Sequence, residues 1–302
     1  MKILENDKNI FFSPFSIYTA LAMLNEGAKG VTSQEIQKVL GYDVAGVNNN
    51  DISSDIRELL EIVQNVGEEY QLEVANALLT QSRYPIFEEY ISKIRNQFHA
   101  FIKNVNFNGE REAAVKEINN WVNETTHGKI TKMLKSIGRS TKAVILNAVY
   151  FNGSWEHPFD ESFTENLTFY NNGINPVNKP TMKNKEHYMY TVTREGFHAV
   201  SLPYKGNDIE MIIILPLPDY TLNNIQLSAV KLEEIISKMK ESTVVLKLPK
   251  FKLEYSRELK GDLNDLGMKQ AFTGFANLSG INEDKRLYVS RVLHKAIIEV
   301  DE

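Results

Sequence analysis

The stretch KAVILNAVYF, residues 142–151, decides what kind of sheet this chain builds. It is longer than the average strand, and its apolar residues follow one another without the alternation of a half-exposed strand. A continuous apolar run of this kind predicts a strand that is covered on both faces. Asn147 interrupts the run, so an amide side chain is placed where the pattern predicts a dry interior.

A second run shows the same anomaly. Residues 288–300, YVSRVLHKAIIEV, are predicted to form another covered strand, and His294 interrupts it. A polar side chain in such a strand must find a hydrogen-bond partner or cost a few kcal/mol. Two explanations remain open from the spacing. In the first, Asn147 and His294 each find a hydrogen-bond partner nearby, for instance a backbone carbonyl at a bulge. In the second, the two side chains meet across the sheet and join two strands.

The patterns around these two runs predict an α+β chain. Ser13-Pro14 is a helix opening, with a hydroxyl that can cap and a proline at the first helical position. Thr32 and Glu35 have the spacing of a capping box and are predicted to start a second helix. Further helices are predicted at 53–66, 86–99, 112–125 and 258–266, further strands at 72–80, 101–107, 167–170, 188–193, 197–202, 209–215 and 243–250, and loops at 44–52 and 171–179. We expect a single domain over residues 1–302.

Composition excludes several classes of protein. The 302 residues contain no cysteine, which removes disulfides, thiolate nucleophiles and cysteine zinc sites together. A net charge of -5 disfavours a nucleic-acid-coating surface. No apolar run approaches the roughly 20 residues of a membrane span, and residues 1–9 are too polar for the core of a signal peptide.

Motifs for catalysis or cofactor binding are missing from the sequence. There is no glycine-rich phosphate loop, no dinucleotide fingerprint and no H-E-x-x-H pattern, and the six histidines form no i, i+4 pair. We therefore expect no catalytic, cofactor or metal site, although a Ser-His-Asp triad remains open because its members can come from anywhere. Four N-x-[ST] sequons, about as many as chance gives, lie at Asn123, Asn152, Asn166 and Asn277.

Short motifs keep a fixed order along nearly the whole chain. They are NIFFSPFSI at 9–17, NAVYFNGSW at 147–155, SLPY at 201–204, IIILP at 212–216, LPKF at 248–251, and LYVS, HKA and EVDE between 287 and 302. Each motif is weak alone. In this order they resemble the serpins, a family of serine protease inhibitors.

The resemblance implies the serpin fold, with three β-sheets and eight to nine helices, and with a gap for loop insertion in a large mixed sheet A. It also implies two sites. The shutter is a hydrogen-bonded cluster beneath the centre of sheet A, and its matching residues are Ser13, Ser16, Asn147 and His294. The breach lies at the top of that sheet, where the matching residues are Trp155, Lys250 and Glu302, the last two as an ion pair.

The resemblance further implies an inhibitor of serine or cysteine endopeptidases rather than an enzyme. A reactive-centre loop serves as bait, is cleaved, and inserts into sheet A with the protease covalently attached. The expected partner is a trypsin- or chymotrypsin-like protease. A non-inhibitory serpin with a carrier, storage or chaperone role is the alternative, and an unrelated hydrolase or binding protein is a third.

Further expectations concern partners and compartment. The helix at 53–64 would match the heparin-binding helix of some serpins, but it carries only Arg57 against several acids, so we expect no heparin site there. We expect a native monomer that is prone to loop-sheet polymerisation. An extracellular location is expected, with a cytoplasmic one as the alternative.

The sequence departs from the family pattern at its ends. It stops at Glu302, where the hinge of the reactive-centre loop would begin, and little of the family's first helix precedes Asn9. We therefore expect the reactive centre to be absent from this chain and the serpin domain to be incomplete at both ends. A fragment, a truncated product and one chain of a cleaved molecule all fit this pattern.

Overall fold

A computed structural model describes residues 9–46, 52–65, 70–171, 173–220 and 227–302. The described residues fall into two compact units, each of which is treated by itself. The first comprises those within 1–65, 72–151 and 253–298, and the second those within 66–71, 152–252 and 299–302. The single domain expected over 1–302 stays a prediction, and the loop expected at 44–52 lies partly outside the described residues.

Eight α-helices occur in the described residues, in agreement with the eight to nine implied by the resemblance. They are α1 (Pro14–Gly27), α2 (Gly30–Leu40), α3 (Tyr42–Ala45), α4 (Ile52–Asn65), α5 (Glu88–Phe98), α6 (Arg111–Thr125), α7 (Ala229–Ser237) and α8 (Lys260–Asp265). The helix expected at 258–266 is confirmed as α8. Helix α7 was not predicted, although its sequence has Leu232, Ile235 and Ile236 at helical spacing, and only Ile235 on it is buried.

Sheet A contains five strands. Their order across the sheet is β2 (Phe101–Val105), β1 (Tyr70–Gln81), β3 (Ala143–Gly153), β10 (Val289–Val300) and β9 (Phe251–Glu258). Strands β1 and β2 are parallel, and so are β3 and β10. Strand β3 pairs directly with β10 from Ala143 to Tyr150, so the sheet is closed along this stretch.

Both faces of β3 are covered, as its continuous apolar run predicts. Ala143 and Ile145 pack into one buried cluster, which also contains residues of α1 and α5. Val144 and Leu146 point the other way, into a second cluster that contains residues of α6. Because successive side chains of a strand point to opposite faces, the cover on both faces of β3 accounts for the consecutive apolar residues from Ala143 to Leu146.

The remaining strands form one connected sheet. They are β4 (Glu165–Asn171), β5 (Asn175–Val192), β6 (Phe197–Pro203), β7 (Glu210–Pro216) and β8 (Lys240–Pro249). Strand β5 has 18 residues and pairs with β4, β8 and β6 along successive parts of its length. The described strands therefore form two sheets, sheet A and this second one. The resemblance implies three, and the two smaller sheets are counted as one here because β5 runs through both.

Two local predictions are wrong. The loop expected at 171–179 is strand from Asn175 onward, because this polar segment pairs through its backbone with β4. The capping box is also absent, since α2 begins at Gly30. Thr32 Oγ1 instead accepts a hydrogen bond from the backbone N–H of Asn277 at 2.9 Å. Glu35 Oε2 accepts from the backbone N–H groups of Lys269 and Gln270 at 2.8 and 2.7 Å.

Candidate functional site

The start of α1 supplies one wall of the first cluster. Ser13 caps the helix, with its Oγ accepting from the backbone N–H of Ser16 at 3.2 Å, and Pro14 occupies the first helical position. This confirms the helix opening predicted from Ser13-Pro14. The cap also fixes Ser16, whose side chain is fully buried and points to β3.

Asn147 on β3 and His294 on β10 lie directly opposite each other in the parallel register. His294 Nδ1 and Asn147 Oδ1 are 2.5 Å apart, and both residues are almost completely buried. Of the two explanations that the sequence left open, the structure therefore shows the second. The two polar interruptions meet across the sheet and join their strands.

The side-chain amide of Asn147 uses its full hydrogen-bonding capacity. Its Oδ1 accepts from Ser16 Oγ at 2.8 Å and from His294. Its Nδ2 donates to the carbonyl oxygen of Ser16 at 3.1 Å and to Asn76 Oδ1 at 2.7 Å. An amide oxygen takes two hydrogen bonds and the amide nitrogen gives two, so none is left unmade.

Asn76 was not singled out from the sequence. It lies on β1, is 1% exposed and brings a third strand into the cluster. The signal that identified Asn147 was present here as well, because Asn76 interrupts the apolar strand LEVANALLT at 72–80.

The hydrogen bonds of His294 define its protonation state. Its Nε2 faces the backbone N–H of Ser13 at 3.4 Å and must accept there. The ring proton is therefore on Nδ1 and is donated to Asn147. Burial lowers the pKa of His294 to about 4, so the ring is neutral at neutral pH.

Trp155 anchors the second cluster, which contains the residues predicted as the breach. Its Nε1 donates to the carbonyl oxygen of Asp301 at 2.8 Å. The indole stacks on Tyr204, with ring centroids 4.6 Å apart, and meets Phe159 edge-on at 6.4 Å. Burial raises the pKa of Tyr204 to about 12. Tyr204 belongs to the SLPY motif, but its contact with Trp155 was not predicted.

Lys250 and Glu302 form the expected ion pair. Thr164 Oγ1 also donates to Glu302 Oε1 at 2.8 Å, and no sequence pattern pointed to Thr164. The hydrogen bond from Lys250 holds the pKa of Glu302 below its usual range, and the same bond raises the pKa of Lys250. Both side chains remain partly exposed, at 33% for Lys250 and 18% for Glu302.

Other predicted features are placed as follows. The described residues contain no group of three or more His, Asp or Glu side chains arranged to hold a metal ion. None of the described helices has the length and apolarity that a membrane crossing requires. Asn152, Asn166 and Asn277 are exposed, whereas Asn123 is half-buried on α6.

The chain as a whole is similar to proteins of one known family. The family model described as serpin (serine protease inhibitor) matches residues 1–302. Iripin-2 of Ixodes ricinus is 37% identical over 300 residues, which cover 98% of this chain and 75% of that protein. Intracellular coagulation inhibitor 2 of Tachypleus tridentatus is 36% identical over 306 residues, covering 100% of this chain and 75% of the relative.

A solved structure shows the same fold. Human thyroxine-binding globulin complexed with thyroxine superposes with a TM-score of 0.93 at 27% identity, over 99% of this chain and 80% of that one. The implied α+β fold is thereby confirmed. The chain therefore belongs to the serpins, a family of protease inhibitors rather than catalysts.

Proposed function

We propose that this chain forms the body of an inhibitor of serine or cysteine endopeptidases, acting with a reactive-centre loop contributed by residues beyond Glu302. Two relatives are named as coagulation inhibitors, which supports the general activity. The observation that carries the mechanism is the parallel, in-register pairing of β3 and β10 across the Asn147–His294 contact.

The polarity of these two strands makes insertion favourable. A loop that leaves the end of β10 and turns back runs antiparallel to β10. Because β3 is parallel to β10, the same loop runs antiparallel to β3 as well. One inserted strand thus replaces one parallel ladder by two antiparallel ones, which are slightly more stable per residue. The new ladders and the buried side chains supply the driving force.

The shutter residues act as a latch for this rearrangement. Separating β3 from β10 breaks the Asn147–His294 hydrogen bond but leaves no charge behind, since both groups are neutral. Ser16 and Asn76 still hold the Asn147 amide after the strands part. The latch can therefore re-form around an inserted strand, whereas a continuous apolar contact would have to be repacked.

Trapping follows from the timing of the insertion. The protease nucleophile attacks the carbonyl carbon of the scissile bond, an ester or thioester forms, and the peptide nitrogen leaves with a proton as a new amino terminus. Insertion of the cleaved loop then carries the acyl-enzyme along the sheet and distorts it. Water can no longer reach a competent active site, so the acyl bond survives.

The direct test is a covalent complex. The full-length protein is incubated with trypsin, chymotrypsin, elastase and a cathepsin, and an SDS-stable complex with at least one of them is expected. Each protease with its nucleophile replaced is the control and should give none. Quantitative loop cleavage by all four proteases without any complex would overturn the proposal.

A non-inhibitory carrier role is the second candidate. It is favoured by the similarity to thyroxine-binding globulin, which was solved with a bound ligand. Loop cleavage separates the two candidates, because insertion should raise the melting temperature of the nicked protein strongly. A nicked protein that melts where the intact one does would support the carrier.

For the compartment we propose the intracellular alternative and a native monomer. Secretion, the first expectation, gains no support from the relatives, two of which are named intracellular coagulation inhibitors. Fractionation of cells that express the full-length protein, with a glycosidase digest of the product, tests the compartment. A glycan at Asn152, Asn166 or Asn277 that the glycosidase removes would support the extracellular location instead. Size-exclusion chromatography tests the monomer.

A further inference from the structure

Three strands of sheet A meet at one end through Lys142. The backbone carbonyl of Lys142, just before β3, accepts from the N–H of Gln81 at the end of β1, at 2.7 Å. Its backbone N–H donates to Ser290 Oγ on β10 at 2.9 Å. Its ammonium group donates to the carbonyl oxygen of Arg286 at 2.6 Å. Lys142 thus contacts the chain on both sides of β3.

Cations and aromatic rings gather at this end of the sheet. The Lys142 Nζ lies 4.3 Å from the ring centroid of Tyr288 and 5.9 Å from that of Tyr84. The guanidinium carbon of Arg83 lies 5.0 Å from the Tyr84 centroid. Arg83 and Arg286 are exposed and Lys142 is half-buried. We call Arg83, Lys142 and Arg286 the cationic cluster.

One carboxylate stands against these three cations, and it is already engaged. Asp284 accepts from Arg286 Nε at 2.9 Å, from Arg286 Nη2 at 2.6 Å and from the Arg286 backbone N–H at 2.9 Å. In the described part of the chain, no carboxylate pairs with Lys142 or Arg83. The cluster therefore has an excess of two positive charges in a chain whose net charge is -5.

The excess charge acts on Lys142. Burial lowers the pKa of its ammonium group, and repulsion from Arg83 and Arg286 lowers it further, while Asp284 opposes the shift. Like charges held together in this way are stabilised by an anion that neutralises them. The guanidinium group of arginine and the ammonium group of lysine are the side-chain groups that bind phosphate and sulfate in proteins.

We propose that the cationic cluster is a binding site for a tetrahedral oxyanion, a phosphate or sulfate group. The anion lies among the Arg83 guanidinium, the Lys142 ammonium and the open edge of Arg286. Lys142 precedes β3, and Arg286 precedes β10, so a bound anion links the ends of the two strands. If the proposed function holds, such a link resists their separation. Anion binding itself does not depend on that function.

Inorganic phosphate is the first probe. The full-length protein is titrated with phosphate while sodium chloride keeps the ionic strength constant, and binding is followed by calorimetry and by the melting temperature. A saturable curve is expected, with a rise of a few degrees at tenfold excess over the dissociation constant. O-phosphoserine is the second probe. Equal binding of both assigns the site to the phosphoryl group, and binding of phosphate alone assigns it to the free ion.

Variants locate the site. Lys142→Gln and Arg83→Gln should each weaken phosphate binding by roughly tenfold, because each removes a charged hydrogen-bond donor. Arg83 is exposed, so Arg83→Gln serves where Lys142→Gln fails to fold. Lys129→Gln is the matched control, since Lys129 Nζ also lies over a tyrosine ring, 5.2 Å from the Tyr150 centroid, and should bind phosphate like the wild type.

Two results would overturn the proposal. The first is a rise in melting temperature that never saturates and is equal in the wild type and all three variants, which is general stabilisation by an excluded salt. The second is a loss of binding in Lys129→Gln as large as that in Arg83→Gln. Neither result depends on whether the protein traps a protease.

Discussion

The cluster predicted as the shutter and the cluster predicted as the breach are held together by different chemistry. At the shutter, Ser13, Ser16, Asn147 and His294 are joined by neutral hydrogen bonds, and Asn147 and His294 are almost wholly buried. At the breach, an ion pair between Lys250 and Glu302 remains partly exposed.

The difference follows from the cost of burying charge. An unpaired charge in a dry interior costs several kcal/mol, so a buried cluster that opens must be neutral. A pair that keeps contact with water is cheap to form and cheap to break, and contributes about 1 kcal/mol or less. The comparison predicts that a change of charge costs little stability at the breach and much at the shutter.

The largest effect is expected for Asn147→Asp. A carboxylate cannot donate to the Ser16 carbonyl or to Asn76 Oδ1, and it brings a charge into the neutral cluster. We expect a loss of about 4 kcal/mol in the free energy of unfolding. Urea denaturation measures this. Asn178 is an exposed residue of β5, so Asn178→Asp is the matched control and should change stability by less than about 0.5 kcal/mol.

His294→Ala should cost about 3 kcal/mol, because it leaves a cavity and removes partners from the Ser13 N–H and Asn147 Oδ1. On warming, the variant of the full-length protein should also form polymers, since the contact between β3 and β10 is weakened. Thermal melts and size-exclusion chromatography follow both effects. His187→Ala, at an exposed position, is the control. An unchanged melt and a monomeric profile for His294→Ala would contradict the latch.

The pH dependence should be of similar size. The folded-state pKa of His294, about 4, lies below its unfolded value of 6.5, so the unfolded state binds the proton more tightly. The contribution of neutral His294 to the free energy of unfolding is therefore fully present above pH 6.5. It decreases as the pH is lowered to about 4, by about 3 kcal/mol in all. Denaturant midpoints at intermediate pH measure the slope. In His294→Ala the slope over this window should be much shallower, and an unchanged slope would assign it to other groups.

The smallest effect is expected at the breach. Glu302→Gln removes the charge but keeps an acceptor for Thr164, so we expect a loss of about 1 kcal/mol at low salt and less at high salt. The pKa of Glu302 is lowered by Lys250, so its contribution is present above pH 4.5 and is lost below it. A loss as large as that of Asn147→Asp would show that the contrast between the two clusters is wrong.

Burial patterns allowed the centre of sheet A to be predicted from sequence. Asn147 and His294 were identifiable because each is polar within a run that must be covered on both faces. Asn76 on β1 met the same condition within the run at residues 72–80 and was missed. That Asn147 and His294 meet each other could not be derived from spacing alone, because register is a property of the assembled sheet.

Other features depend on partners that are remote in sequence. Thr32 and Glu35 have capping-box spacing, yet they bind the backbone of Asn277 and of residues 269–270, more than 230 positions away. Thr164 reaches Glu302 across 138 positions. The polar start of β5 carries no apolar alternation, so only its pairing with β4 makes it a strand.

The length of the ladder between β3 and β10 determines what kind of segment can be inserted between the two strands. Eight residues of each strand are paired, a length of about 26 Å at the usual rise per residue. A segment that fills this seam needs at least eight residues without an internal proline, because each must supply a backbone donor. Its side chains would face the α1 cluster and the α6 cluster in turn, so bulky charged residues are excluded from both sets of alternate positions.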